Sequence, residues 1–440
     1  MTVPMILGMT MLMTFSLVDT FFVSLLGTVE LAAISFTFPV TFTIISLTIG
    51  LGIGTSAVIG KYLGSGDSSE AKALASGAMM LSVLLVAALS ISGYFFIDDI
   101  FTLMGATPEI LPFIHDYMSV WLLSAVLLAV PMVGNSVLRA NGDTKMPSII
   151  MAAGGAINAV LDPILIFGLG PIPAYGIMGA AIATAIAWLV NVVWILYLLA
   201  VKRQLMEAKL LNFREFKKAS KGVLGIGLPA AGANMLTPIA GAILTAIVAT
   251  YGKEAVAAWG VGNRLESLAS IVVLSLSMSL PPFISQNFGA SHWHRIEKAY
   301  MMCMKFVMAW QFLMYLILAA LSVPLAAMFA DDVKVQELIK VFLLILPLGY
   351  GLQGIIILTN SSFNAMHMPM SALILSLVRL FVFYVPVAYL GSLLFDVVGL
   401  FWGCVIANLA TAFVSFTWFK RTLLKNKMLE TSLQTNRSKD

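Results

Sequence analysis

Charge is what this chain has least of. Only 10% of its 440 residues are Asp, Glu, Lys or Arg, while 60% are hydrophobic. A soluble domain carries about 25% charged residues. The deficit excludes a soluble globular protein, because most of the surface must face lipid. Cysteine is nearly absent: Cys303 and Cys404 lie far apart in apolar stretches. They offer neither a disulfide framework nor a metal motif and read as helix packing. Four scattered histidines leave a membrane enzyme without the His–carboxylate cluster it needs. His292 and His294 read as a solvated turn, not a metal site. A net charge of +4 is too small to argue for nucleic acid, and no cofactor motif is visible. No cleavable signal peptide is visible. Met1 runs almost directly into apolar sequence, so a start further upstream and a trimmed N-terminus both stay open.

Long apolar runs, by contrast, are everywhere. A membrane span needs about 20 apolar residues. Hydropathy and Gly/Pro breakers predict twelve: 3–25, 32–59, 74–96, 112–137, 148–168, 176–200, 222–250, 255–284, 298–322, 336–361, 369–392 and 397–419. Basic residues mark the cytoplasmic connections. They cluster after the second helix (Lys61, Lys72), the fourth (Arg139, Lys145), the sixth (Lys202 through Lys221), the eighth (Arg295, Lys298) and the twelfth (Lys420, Arg421, Lys425, Lys427). The alternate connections are acidic or neutral, with Glu30 in one and Asp98, Asp99, Glu109 and Asp116 in another. Both termini are therefore expected in the cytoplasm and the chain in a bacterial inner membrane.

The expected layout is a six-helix bundle over 1–200, a cytoplasmic amphipathic linker over 201–221, a second bundle over 222–421 and a disordered tail over 422–440. In the linker Leu210, Leu211, Phe213 and Phe216 can face lipid while lysines meet anionic headgroups. Asn212 and Glu215 have capping-box spacing.

The chain repeats itself at an offset of 225 residues. Pro4 meets Pro229, Gly27 meets Gly252, Gly64 meets Gly289, and Asn135-Ser136 meets Asn360-Ser361. Six spans per half make the repeats parallel, which suits two bundles working by alternating access.

The halves differ where polar residues enter the membrane. Asp19, in the first helix, corresponds to Leu244. Asn158 and Asp162, in the fifth, correspond to Phe381 and Val385. An intramembrane carboxylate is costly unless paired, hydrated or protonated. Asn158 and Asp162 are four apart and share a helix face. Pro163 frees the Ala159 carbonyl, and Thr184 lies in the small-residue run Gly179-Ala180-Ala181-Ile182-Ala183-Thr184. This oxygen-rich set can hold a proton, a sodium ion or water. Burial beside a like charge favours the protonated form of a carboxylate, which suits one of the pair to carrying a proton; a static polar pair is the alternative. Pro4, fifteen residues before Asp19, offers a hinge. Arg264 and Glu266 in the eighth helix either pair across helices or line a cavity. Arg379 in the eleventh reads as one half of a structural ion pair.

Several segments together resemble the multidrug and toxic compound extrusion (MATE) family, in its DinF-like branch. They are Pro4 with Val18-Asp19-Thr20-Phe21-Phe22-Val23, Leu138 through Pro147, Asn158-Ala159-Val160-Leu161-Asp162-Pro163, and Gly176 through Thr184. The resemblance implies an all-α integral membrane fold of twelve helices in two six-helix bundles, V-shaped around a cavity. It also implies a cation-linked network at the positions of Asp19, Asn158, Asp162 and Thr184, and a first-helix bend at Pro4. The implied partners are the lipid bilayer and amphipathic, often cationic, drugs, and a monomer is expected. The NorM-like branch carries acids in its seventh and tenth helices. Here the seventh has none, and the tenth has none after Glu337. The weight moves to the first half and to protons, with sodium coupling, or flipping of a lipid-linked precursor, as the alternatives.

Overall fold

A computed structural model describes residues 2–207 and 212–437, the side chains of Ser16 and of 429–437 excepted. The expectations for Lys209, Leu210 and Leu211 therefore lie outside the described residues. The described chain is almost wholly helical. Eleven stretches are long and apolar enough to cross a membrane. The last, Pro369–Met428, leaves helical geometry at Phe395 and Asp396, where Asp396 has φ 53°. It is therefore two spans joined by a tight turn, which brings the number to twelve. Gly391 and Gly399 flank that turn. A Cβ on Gly391 would lie 2.1 Å from the Gly399 carbonyl oxygen, so only glycine permits so close an antiparallel approach.

The chain divides into two compact units, one ending at Ala231 and one starting at Gly232. The first holds α1 (Thr2–Ser24), α2 (Thr28–Gly64), α3 (Ser68–Phe95), the short α4 (Ile97–Leu103), α5 (Leu111–Ala140), α6 (Lys145–Phe167) and α7 (Gly176–Leu196). A π-helical turn, Tyr197–Lys202, follows α7. Helix α5 is the pillar, packing against α2, α3 and α7, while α1 packs on α6 and α6 on α7. Helix α8 (Phe213–Ala249) starts in this unit. Its early turns lie on α2 so closely that a Cβ on Gly54 would meet the Val223 carbonyl at 2.4 Å. Lys218 also ties α8 to α3 through Glu70 at 2.7 Å. One arm of the capping box forms at the start of α8, where the Asn212 N–H donates to the Glu215 carboxylate at 3.1 Å.

The second unit continues with α9 (Lys253–Ala269), α10 (Ile271–Gly289), α11 (Trp293–Ala320), the short α12 (Ser322–Phe329), α13 (Val333–Ile345), α14 (Tyr350–Ala365), α15 (Pro369–Leu377) and α16 (Val385–Arg437). Three of its spans depart from the single helices expected. The eighth breaks at Ser270, and the Ala269 carbonyl at the break accepts the buried Gln311 side-chain amide at 3.0 Å. The tenth tightens into a 3-10 turn, Leu346–Gly349, around Pro347, which cannot donate to an α-helical ladder. The eleventh passes through a π-helical turn, Val378–Tyr384. Helix α16 runs on to Arg437, so it takes in 422–437 of the segment whose polarity suggested disorder. No Gly or Pro interrupts it after Gly403, and Lys427 bonds Glu297 of α11. Helices α4 and α12, of seven and eight residues, are too short for a span-length hydropathy window to detect.

Candidate functional site

The interface of α1 with α6 sets the site. Residues seven apart on a helix return to nearly the same face, and the contacts follow that period. A Cβ on Gly8 would touch the Ser148 backbone at 2.9 Å, and one on Gly155 would meet the Phe15 ring at 2.2 Å. The same face then brings Asp19 to Asp162. The two carboxylates come within hydrogen-bonding reach of each other, a contact that requires a proton or a cation between them. Asp162 is fully buried. One oxygen of Asp19 is buried with no hydrogen-bond partner among the described residues. Neither acid takes part in an ion pair among those residues.

Helix α7 supplies the third wall. Gly179 allows it: a Cβ there would lie 2.4 Å from the Leu165 carbonyl of α6. That approach sets Thr184 beside Asn158. The Asn158 amide nitrogen lies 3.3 Å from the Asp162 carboxylate and 3.1 Å from Thr184 Oγ1. Turning the amide over keeps both neighbours. Turned over, the amide nitrogen still donates to Asp162 while its oxygen accepts from Thr184, and the Thr184 hydroxyl also lies 3.0 Å from the Ala180 carbonyl. The result is an oxygen-rich chain running from Asp19 through Asp162 and Asn158 to Thr184. Apolar contacts bracket it along the helices: Phe15 against Gly155 on one side, and Val23, Ile166 and Ala180 on the other.

Four of the residues singled out from sequence are thus neighbours. Pro4 is not among them. It falls in the first turn of α1, about 22 Å from Asp19 at about 1.5 Å per residue, where a missing N–H has no helical partner to lose. Arg264 and Glu266 are also separate from the site. Arg264 is exposed on α9, and Glu266 accepts from Gln353 Nε2 at 3.1 Å. Arg379 does not form the ion pair expected of it among the described residues: the π-helical turn sets its guanidinium over the Tyr384 ring at 5.7 Å instead. Sequence reasoning missed Tyr117. From α5 its phenol interacts electrostatically with both Asp19 and Asp162. No spacing rule connects the fourth span to the first or the fifth, so only the packing reveals it.

Acids buried in one half of a duplicated, twelve-span helical protein mark a membrane transporter, not an enzyme. The MatE family model matches residues 4–164 and again 229–390, the same 225-residue offset as the internal repeat. The chain belongs to the MATE family of multidrug efflux transporters. It is 44% identical over 409 residues to a protein of Shewanella oneidensis named FAD transporter, covering 93% of this chain and 90% of that one. It is 24% identical over 415 residues to the multidrug export protein MepA of Staphylococcus haemolyticus, covering 94% and 90%. Among solved structures it resembles the Vibrio cholerae MATE transporter VcmN in the bent form. There the TM-score is 0.92 with 33% identity, covering 97% of this chain and 96% of that one.

Proposed function

We propose that this chain is a proton-coupled exporter of aromatic, amphipathic small molecules, working by alternating access from the inner membrane as a monomer with both termini cytoplasmic. The observation that carries the reading is the Asp19 carboxylate set within hydrogen-bonding reach of Asp162, with its second oxygen buried and without a partner among the described residues. Two carboxylates so placed repel unless a proton lies between them. Taking one up draws α1 onto α6; releasing it loosens that interface. Helix α1 bends in response over the stretch between Pro4 and Asp19, and the bent form in which VcmN was solved supports such a motion. The oxygen set of Asp19, Asp162, Asn158 and Thr184 also suits sodium, so the driving ion is the point to test. A paired-gradient assay does so. In vesicles with separately imposed proton and sodium gradients, the proton gradient alone should drive efflux. Efflux driven by sodium alone would overturn proton coupling.

The substrate has two readings. Carboxylates at membrane depth favour cationic amphipathic drugs, in keeping with relatives named as multidrug export proteins and with the DinF-like motifs. The 44% identity to a protein named FAD transporter favours a flavin nucleotide. Ethidium and FAD, supplied to the same vesicles, separate the two.

A further inference from the structure

The second unit holds a polar seam that the coupling site does not use. Glu266 of α9 accepts from Gln353 of α14 at 3.1 Å. Asn360, seven residues further along α14, donates to Ser376 of α15 at 3.0 Å. Gln353 and Asn360 therefore share one face of α14, and Ser376 and Arg379, three apart, share a face of the opposing span. Arg379 interacts electrostatically with Glu266 yet makes no ion pair among the described residues. Its Nε is buried without a hydrogen-bond partner, and so is the Tyr350 hydroxyl, one turn before Gln353. Asn360 Oδ1 is a third such atom in the seam.

A guanidinium at membrane depth is costly unless water or a ligand meets its donors. Here it also sits on a π-helical turn, a distortion common at functional sites. Its helix is the repeat counterpart of α6, where the first unit carries Asn158 and Asp162. The two units thus use corresponding spans for opposite charges.

We propose that this seam recognises the anionic end of a planar aromatic substrate. Arg379 would pair with its phosphate or carboxylate through parallel charge-assisted bonds, and Tyr350 would add a donor. Glu266 is the resident counter-charge that the substrate anion replaces. The inference rests on the reading of the chain as an exporter of aromatic compounds, and it names the substrate's charge.

Binding to the full-length protein in phosphatidylcholine nanodiscs tests it, with FMN, riboflavin (the same ring without phosphate) and fluorescein (an anionic aromatic that is no flavin) as probes. Arg379→Gln should weaken FMN binding about tenfold or more and riboflavin by less than about twofold. Arg379→Lys should keep part of the FMN affinity, and Glu266→Gln should tighten it. Equal losses for FMN and riboflavin in Arg379→Gln, or no loss for either, overturn the proposal. So does weaker FMN binding by Glu266→Gln. If adding phosphatidylglycerol abolishes the Arg379-dependent binding, the seam serves lipid headgroups and the proposal fails. If no flavin binds but fluorescein does so through Arg379, the seam stands and the flavin reading falls.

Discussion

Asp19→Asn replaces one carboxylate of the buried pair with an amide of the same shape. Two unit charges about 4 Å apart at an effective dielectric of about 20 repel by about 4 kcal/mol, and the substitution removes that repulsion. It also supplies an amide N–H that can donate to the Asp162 carboxylate in place of the shared proton, and a hydrogen bond to a charged group contributes about 1.5–3 kcal/mol. The variant should therefore hold α1 on α6 more firmly than the wild type does when no proton bridges the pair. A bias of about 3 kcal/mol shifts a two-position equilibrium about 150-fold, enough to stop a cycle that must visit both positions. Initial rates of ethidium or FAD efflux should fall to about a tenth or less. The detergent-solubilised variant should melt a few degrees higher, at about 2–4 °C per kcal/mol for a unit of this size. Transport near the wild-type rate would refute the coupling role of Asp19. Lost transport together with lower thermal stability would show that the two side chains do not meet as described.

Gly179→Ala places a methyl against the Leu165 carbonyl and must push α7 away from α6, separating Thr184 from Asn158. A loss of about 1–3 kcal/mol is expected, read as a lower melting temperature by fluorescence-detected size exclusion, with transport falling in parallel. Gln311→Leu strands the Ala269 carbonyl at the α9–α10 break. It should cost about 1–3 kcal/mol in the same melting assay.

The coarse plan was legible because the membrane imposes it. Each span must close its own backbone hydrogen bonds, so apolar length and Gly/Pro breaks reveal the helices without tertiary information. The polar network was legible for the opposite reason: Asp19, Asn158 and Asp162 are anomalous in apolar surroundings, and their absence from the repeat partners isolates them. What stayed hidden depends on neighbours. The break at Ser270 is stabilised by Gln311, forty-one residues away in the chain. Arg379 looked like half of an ion pair because sequence shows its charge but not the π-helical turn that sets it against Tyr384. Tyr117 carries no charge and no telling spacing.

The two short helices, α4 and α12, begin at Ile97 and Ser322, the offset of the whole repeat. Their sequences, Ile-Asp-Asp-Ile-Phe-Thr-Leu and Ser-Val-Pro-Leu-Ala-Ala-Met-Phe, have almost nothing in common. Position was inherited from a single ancestral copy, and residue identity was not. Duplication thus left each half free to specialise on a shared backbone: one carries a pair of facing carboxylates, the other an arginine beside a single glutamate, and neither had to invent a fold to hold them.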